Sequence, residues 1–374
     1  SFAHGPLPDH EISQRANYWG ADRCDTPWSL MANSFEAIKH IGGDKGYDLA
    51  MFTGDLVAHD DLYRYSRDYV LYAEQAQFDI MKSFLGDTPV LVTLGNHDTS
   101  PENTMTIPGL PNGQSHTYDW DLDYVAKLWQ HKGWIDAKNA GRVREHYGSF
   151  SMSPRKGLRV ISLNTDYWYY VNFYNYIHMD YPDNSGMLRF LTDELFAAEE
   201  AGERVWIMGH VLTGWNGGEA LDRPSNLFYQ IVSRFAPTTI AHIFFGHTHE
   251  DQLQVFYEND NGVSASAKQH TQHAVTNAYI APSITPYINL NPTFRVYKFH
   301  PETFDTMDYD QYYTPISEFE KLKDADHGPV WRHLYSAREA YGNFHQSVTD
   351  GNYAAGVKLD GTKWPWNAPL LSLI

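Results

Sequence analysis

The sequence predicts an α/β protein, α+β in its mixture of elements, built on a sandwich of two mixed β-sheets flanked by helices. Three observations predict it. Apolar, β-branched runs recur at 47–52, 89–94, 158–163, 204–208 and 240–245, and read as buried strands. Helical patterns alternate with them early and strands dominate later, which suits two sheets covered by helices. Hydrophobic residues make up 42% of the 374, ample for a core at this length.

Residues 1–23 are polar and irregular and read as an arm. Thr26-Pro27 opens a helix running to about Ile41, with Thr26 as N-cap, Pro27 in the first turn and Gly42-Gly43 as the stop. Tyr47 to Phe52 is the first strand, running into Asp55. A long helix follows from about Tyr63 to Phe84, and Pro89 to Leu94 is the strand that delivers Asn96 and His97. Residues 99–120, rich in Pro, Gly, Asn, Thr and Ser, read as a surface loop. Leu158 to Leu163 is a strand, followed by an aromatic tract from Tyr167-Trp168-Tyr169-Tyr170 to Tyr176. Helix is expected over 185–200 and 227–235, and strand over 204–208, 240–245, 278–280 and 294–299. A last helix is expected from Trp331 to Tyr341.

Composition excludes several classes. The formal net charge of −18 disfavours a nucleic-acid duplex or an anionic membrane face as a broad partner. The lone cysteine, Cys24, forms no disulfide within these 374 residues. No apolar run is long enough to span a membrane, so a transmembrane anchor is not expected, and with no signal-peptide pattern in the first residues the expectation is that any signal peptide has already gone. No Asn-x-Ser/Thr sequon with a permitted middle residue is present, so N-glycosylation gives no clue to a secreted origin.

The chemistry lies at the strand ends, in Thr53-Gly54-Asp55 through His59-Asp60, Gly95-Asn96-His97-Asp98, Gly209-His210 and Gly246-His247-Thr248-His249. Taken alone, Asp55 reads as a turn residue or helix cap, and an isolated Gly-His carries little. Gly-Asn-His-Asp is more specific: a neutral oxygen, an imidazole, and in Asp98 a carboxylate able to orient that imidazole. In an extended segment His247 and His249 point to one side and can share one site. A carboxylate, an amide oxygen and several imidazoles suit a pair of divalent metals with positions left for water and substrate.

With these motifs in this order, the chain resembles the calcineurin-like metallophosphoesterases, and within them the acid sphingomyelinase and sphingomyelinase-like phosphodiesterase branch. Further matches to that branch are Tyr18-Trp19-Gly20, Cys24-Asp25-Thr26-Pro27, Phe84-Leu85-Gly86, Leu158 to Asn164, Tyr287 to Pro292 with Arg295-Val296-Tyr297, and Ala337 to Gly342. The resemblance implies the calcineurin-like two-sheet sandwich with its metal site at the strand C-termini. Asp55 would bridge two zinc ions, Asn96, His210 and His247 would complete one, and His249 would serve the other. His97 would contact the phosphate and help protonate the leaving oxygen, with His59 over the leaving group as the second acid candidate. Asn103 and Tyr287 match positions that line the substrate pocket.

The implied function is a two-metal phosphodiester hydrolase that releases phosphocholine and ceramide from sphingomyelin. Paired cations acidify a shared water, and a histidine with an ordinary pKa of about 6.5 suits the proton transfer. The histidine-rich set favours zinc, although manganese or iron fits the same residues. The resemblance further implies secretion or an acidic lumen. It divides the chain into an arm over 1–23, a catalytic domain over 24–315 and a C-terminal helical extension over 316–374, cut short after Trp364-Pro365-Trp366. The aromatic tract offers a peripheral membrane contact or, on the blander reading, an aromatic core.

One departure stands out. The family opens with an Asp-x-His motif ahead of the bridging Asp, and none precedes Asp55 here, since Asp9-His10 lacks the spacing. The expectation is a processed or truncated form, with the motif and a partner for Cys24 upstream; the alternative is one incomplete metal site. Two other functions compete: a nucleotide or small-phosphodiester hydrolase, and a binding protein that keeps the fold with a damaged site.

Overall fold

A computed structural model describes residues 17–214, 219–258, 273–322 and 327–341. Most of the expected arm, Gly342 and the Trp364 to Trp366 segment lie outside the described residues. Two strands, β1 (Ala50–Phe52) and β2 (Val90–Val92), pair in parallel. A six-stranded sheet runs in the order β3-β4-β5-β6-β8-β7, from β3 (Phe150–Arg155), β4 (Leu158–Ser162), β5 (Arg204–Met208), β6 (Ile240–Phe245), β7 (Gln252–Tyr257) and β8 (Ala274–Ile280). Strands β4, β5, β6 and β8 are parallel, and the two edge strands pair antiparallel. An antiparallel ladder of β9 (Thr293–Phe299), β10 (Thr306–Tyr313) and β11 (Arg332–Ser336) completes the strands, with β10 in the middle.

The helices are α1 (Trp28–Gly42), α2 (Arg67–Leu85), α3 (Asp119–His131), α4 (Ala137–Glu145), α5 (Met187–Ala201), α6 (Asp222–Phe235) and the short α7 (Ala337–Tyr341). No described helix is long and apolar enough to cross a membrane. Pro27, not Thr26, occupies the N-cap of α1, and no side chain caps it. In α2 the cap is Ser66, whose hydroxyl accepts from the Tyr69 N–H at 3.2 Å. The loop expected over 99–120 gives way to α3 at Asp119. The expected helix from Trp331 to Tyr341 is strand β11 followed by one helical turn, because residues 332–336 pair with β10.

Layering follows from which faces are apolar. The inner face of the six-stranded sheet carries Leu158, Val160, Trp206, Met208, Phe244 and Tyr279. It packs on Met51 and Leu91 of the two-stranded ladder and on Tyr297, Phe299 and Tyr309 of the three-stranded one. Trp206 lies 4.2 Å from the Phe299 ring, and Tyr279 lies 5.3 Å from the Tyr297 ring. Ile161, Ile207, Ile243 and Phe245 point the other way, into a core with Leu191 and Leu195 of α5 and Phe228 and Val232 of α6. Helices α2 to α4 cover β2 through Phe78, Val125, Trp129 and Val143. This is a two-layered β-sandwich with helices outside, in which one layer is, among the described residues, two separate ladders.

Between β1 and β9, whose facing edges pair with no strand among the described residues, lies a cleft of about 1290 Å³, floored by Phe244 and Tyr279 and reaching Asp55, His210 and His249.

A buried cation fastens the three-stranded ladder to the loop after β6. The Arg295 guanidinium, 2% exposed, donates to Gln311 Oε1 and Tyr297 Oη, both at 2.9 Å, pairs with Asp251 and lies 4.4 Å over the Tyr309 ring. Tyr335 of β11 donates to the other Asp251 oxygen. Asp251 is open to solvent, so what loses its partner when the guanidinium is removed is the buried Gln311 side-chain oxygen. Arg295→Met is therefore expected to lower the unfolding free energy by about 1–3 kcal/mol in denaturant titration. Asp251→Asn should cost under about 1 kcal/mol, the level of an exposed pair; the reverse ranking would contradict the assignment.

Candidate metal centre

Parallel pairing puts the C-terminal ends of β1 and β2 side by side, and those of β5 and β6 likewise. The loops that follow meet where the two sheets face each other. Asp55 leaves β1 in a left-handed turn, with φ +62° after Gly54 at +97°. Gly95 approaches so closely that a Cβ there would sit 2.1 Å from Asp55 Oδ1, and one on Gly54 would sit 2.6 Å from the Gly95 nitrogen. Neither position has room for a side chain.

Four of the expected ligands converge. His210 Nε2 lies 2.9 Å from Asp55 Oδ2 and 2.9 Å from Asn96 Oδ1, and His247 Nδ1 lies 2.9 Å from Asn96 Oδ1 and 3.3 Å from His210 Nε2. Asp55, His210 and His247 all offer ligand atoms within 4.8 Å of one another. His210 Nδ1 is 2.6 Å from the Thr53 carbonyl, so it carries the ring proton and turns the Nε2 lone pair inward. The amide nitrogen of Asn96 donates to Asn103 Oδ1 at 2.7 Å, which turns the amide oxygen inward. The centre thus gathers lone pairs, and a cation is the charge that satisfies them together.

His249 stands apart from that cluster. Its backbone is left-handed, φ +63°, as is that of His247 at +74°. The segment is a turn, so the two-residue alternation of a strand does not govern where these rings point. The His249 ring packs 5.2 Å from the His59 ring, and its buried Nδ1 has no hydrogen-bond partner among the described residues. Burial, with the neighbouring His59 charge, pushes His249 down to about 4, so it is a neutral imidazole with a lone pair to give. That orphaned atom fits a ligand for a second cation.

Asp98 serves the backbone. Its carboxylate accepts from the N–H groups of Gly95 at 2.8 Å, Asp55 at 2.9 Å and Leu56 at 2.6 Å. The expected partnership with the His97 imidazole gives way to Tyr65, whose hydroxyl lies 2.9 Å from His97 Nδ1 and itself donates to the Ala58 carbonyl at 2.5 Å. The His97 and His59 rings lie 4.2 Å apart, and Tyr287 stacks on His59 at 4.2 Å. Asn103, expected to line a substrate pocket, holds Asn96 and donates to Glu102 Oε1 at 3.0 Å.

Sequence reasoning missed Asp25 as a site residue, although its motif was in view. Asp25 Oδ1 lies 2.9 Å from His59 Nδ1 and accepts from Thr285 at 3.0 Å, while Oδ2 accepts from the His59 N–H at 2.7 Å. Burial alone would depress His59; Asp25 overrides it and holds the imidazole above its ordinary value. Burial prevails at His97, which is pushed down. Tyr65 and Glu219 also escaped notice, since nothing in their local sequence marks them.

Burial would lower His210 as well, but the Asp55 carboxylate holds it at about 9. Below that pH the metal-free protein keeps a proton where a cation would sit, and loading must expel it. Zinc added to chelator-stripped protein at pH 7 is therefore expected to release protons, read from the buffer dependence of the calorimetric enthalpy. Apparent affinity should fall about tenfold per pH unit for each proton displaced. Loading with no proton release would rule this pair out as the cation's seat.

Residues 28–251 match the calcineurin-like phosphoesterase family. The chain is 33% identical over 343 residues to the Bos taurus sphingomyelin phosphodiesterase, covering 90% of this chain and 50% of that one. It is 33% identical over 332 residues to the Homo sapiens sphingomyelin phosphodiesterase, covering 87% and 48%. It is 31% identical over 335 residues to Caenorhabditis elegans sphingomyelin phosphodiesterase 1, covering 89% and 55%. The chain thus spans about half the length of the curated relatives it matches. With the family match covering every loop of the centre, the chain belongs to the calcineurin-like phosphoesterases.

Proposed function

We propose that this chain hydrolyses the phosphodiester of sphingomyelin, releasing phosphocholine and ceramide. The observation that carries the reading is a lone-pair cluster with two histidines of opposed protonation tendency beside it. The relatives' names support the lipid, since those matches cover 90% and 87% of this chain. Two divalent cations held by Asp55, Asn96, His210, His247 and His249, with zinc best suited to this set, would supply positive charge against the phosphate oxygens and acidify water.

Proton handling falls to the chain's own groups. Asp25 accepts a hydrogen bond from the Nδ1–H of His59, so the transferable proton is the one on Nε2. His59 is raised and His97 lowered, and environments that push two groups apart divide acid from partner. His59 is then the proton donor to the leaving oxygen, and His97 the neutral hydrogen-bonding partner held by Tyr65. Tyr287 stacks on the His59 ring at 4.2 Å and so fixes its plane. Such a donor is charged in an acidic lumen or a mildly acidic exterior, which supports that location.

The aromatic tract divides. Tyr167, Trp168 and Tyr169 are buried, while Tyr170, Val171, Phe173 and Tyr176, with Met179 and Tyr181 beyond, are exposed. These exposed side chains support a peripheral contact with a zwitterionic lipid surface.

With zinc loaded, turnover of sphingomyelin in mixed micelles should exceed that of a nucleotide diester; the reverse ranking would move the substrate to nucleotides. No turnover of either by protein carrying its metal would leave only the binding-protein reading. His59→Asn should cut kcat by roughly 10²–10⁴. Activity should fall as pH rises through the His59 pKa, because the donor must be protonated, and Asp25→Asn should move that limb to lower pH. An unmoved limb would take the role from His59.

A further inference from the structure

The two imidazoles of the centre are held by unlike anchors. His210 is fixed by a backbone carbonyl, that of Thr53. For His247 the anchor is a side chain, Glu219, whose Oε2 lies 3.1 Å from His247 Nε2. We infer that Glu219 is the positioning residue for His247, setting which ring nitrogen faces the cation and where it points. This rests on the cation-binding reading of the centre.

The chemistry runs from the carboxylate inward. An ionised carboxylate only accepts, so the ring proton sits on Nε2 and the Nδ1 lone pair is left facing Asn96 Oδ1 and His210 Nε2. A carboxylate on the outer nitrogen also makes the inner one a stronger donor. The left-handed turn at His247 supplies no neighbouring strand to lock the ring, so its orientation depends on what touches it. Asn96 and His210 meet its Nδ1, Glu219 meets its Nε2, and the Tyr169 ring lies 5.0 Å away edge-on.

Glu219 is itself held at fixed reach. Its carbonyl accepts from the Tyr170 N–H at 3.1 Å, and the Leu221 N–H donates to the Trp168 carbonyl at 2.8 Å. Tyr169 and Ala220 form an antiparallel bridge between those two bonds. Trp168 is fully buried, 5.1 Å from the Phe228 ring, and donates from Nε1 to the Val211 carbonyl at 3.0 Å. The buried half of the aromatic tract thus clamps the segment that presents the carboxylate.

The test uses the whole chain stripped with chelator and titrated with zinc by calorimetry, and with cobalt by absorption. Glu219→Ala should bind zinc about 10–100-fold more weakly and shift the cobalt spectrum, as for other partners of metal-bound imidazoles. Glu219→Gln, whose amide oxygen accepts the same proton without the charge, should recover part of the affinity and keeps the test usable if the Ala variant fails to fold. The metal-free melting temperature should match wild type in both, which a merely structural role would not allow. Wild-type affinity and spectrum in Glu219→Ala, with binding lost in His247→Ala, would overturn the positioning role and leave the cation reading standing. Wild-type affinity in His247→Ala would instead overturn the cation reading.

Discussion

The centre depends on one carboxylate that binds no ligand. Asp98 takes three backbone N–H groups from two loops, Gly95 on one side and Asp55 and Leu56 on the other. These bonds hold the turns after β1 and β2 in a contact too close for any Cβ at Gly54 or Gly95. Burial and the neighbouring Asp55 charge push Asp98 up to about 7, against the opposing pull of these N–H donors. Because both turns are tied at the backbone, Asp55 and Asn96 arrive as a unit, and a shift in either loop would move both. The left-handed conformation of Asp55 is strain of the sort found where surrounding structure overrules local preference.

Much of this was legible. Apolar runs ending in Gly-Asp, Gly-Asn-His, Gly-His and Gly-His-Thr-His gave the strands, their ends and five candidate ligands. Asp55, Asn96, His210 and His247 meet, because parallel strands send their C-terminal loops to the same edge. What was not legible has physical reasons. Edge strands β3 and β7 and the half-exposed β10 mix polar and apolar residues, since only one face of each is covered. Helices α3 and α4 are rich in charge and drew no assignment beyond the loop that ends at 120, although Val125, Trp129 and Val143 are core residues. His242, on the apolar run before the two-histidine motif, is a core histidine: its Nδ1 faces Asn277 Oδ1 at 3.1 Å, and its Nε2 accepts from the Thr306 N–H at 2.8 Å. Sequence alone does not separate such a histidine from His247, five residues on.

Pairings across long sequence distance were the least visible. Asp25 with His59, Tyr65 with His97 and Glu219 with His247 join residues that no local spacing relates. Each decides which nitrogen of an imidazole is free, and therefore what the ring can do. The family resemblance named the ligands; the partners that tune them came only with the fold.

The cleft between β1 and β9 has a practical consequence. Each bordering strand presents a row of backbone N–H and C=O groups with no strand beside it among the described residues. Such rows are templates for pairing with another chain. A strand laid into this seam would join the two ladders into one sheet and cover the apolar floor made by Phe244 and Tyr279.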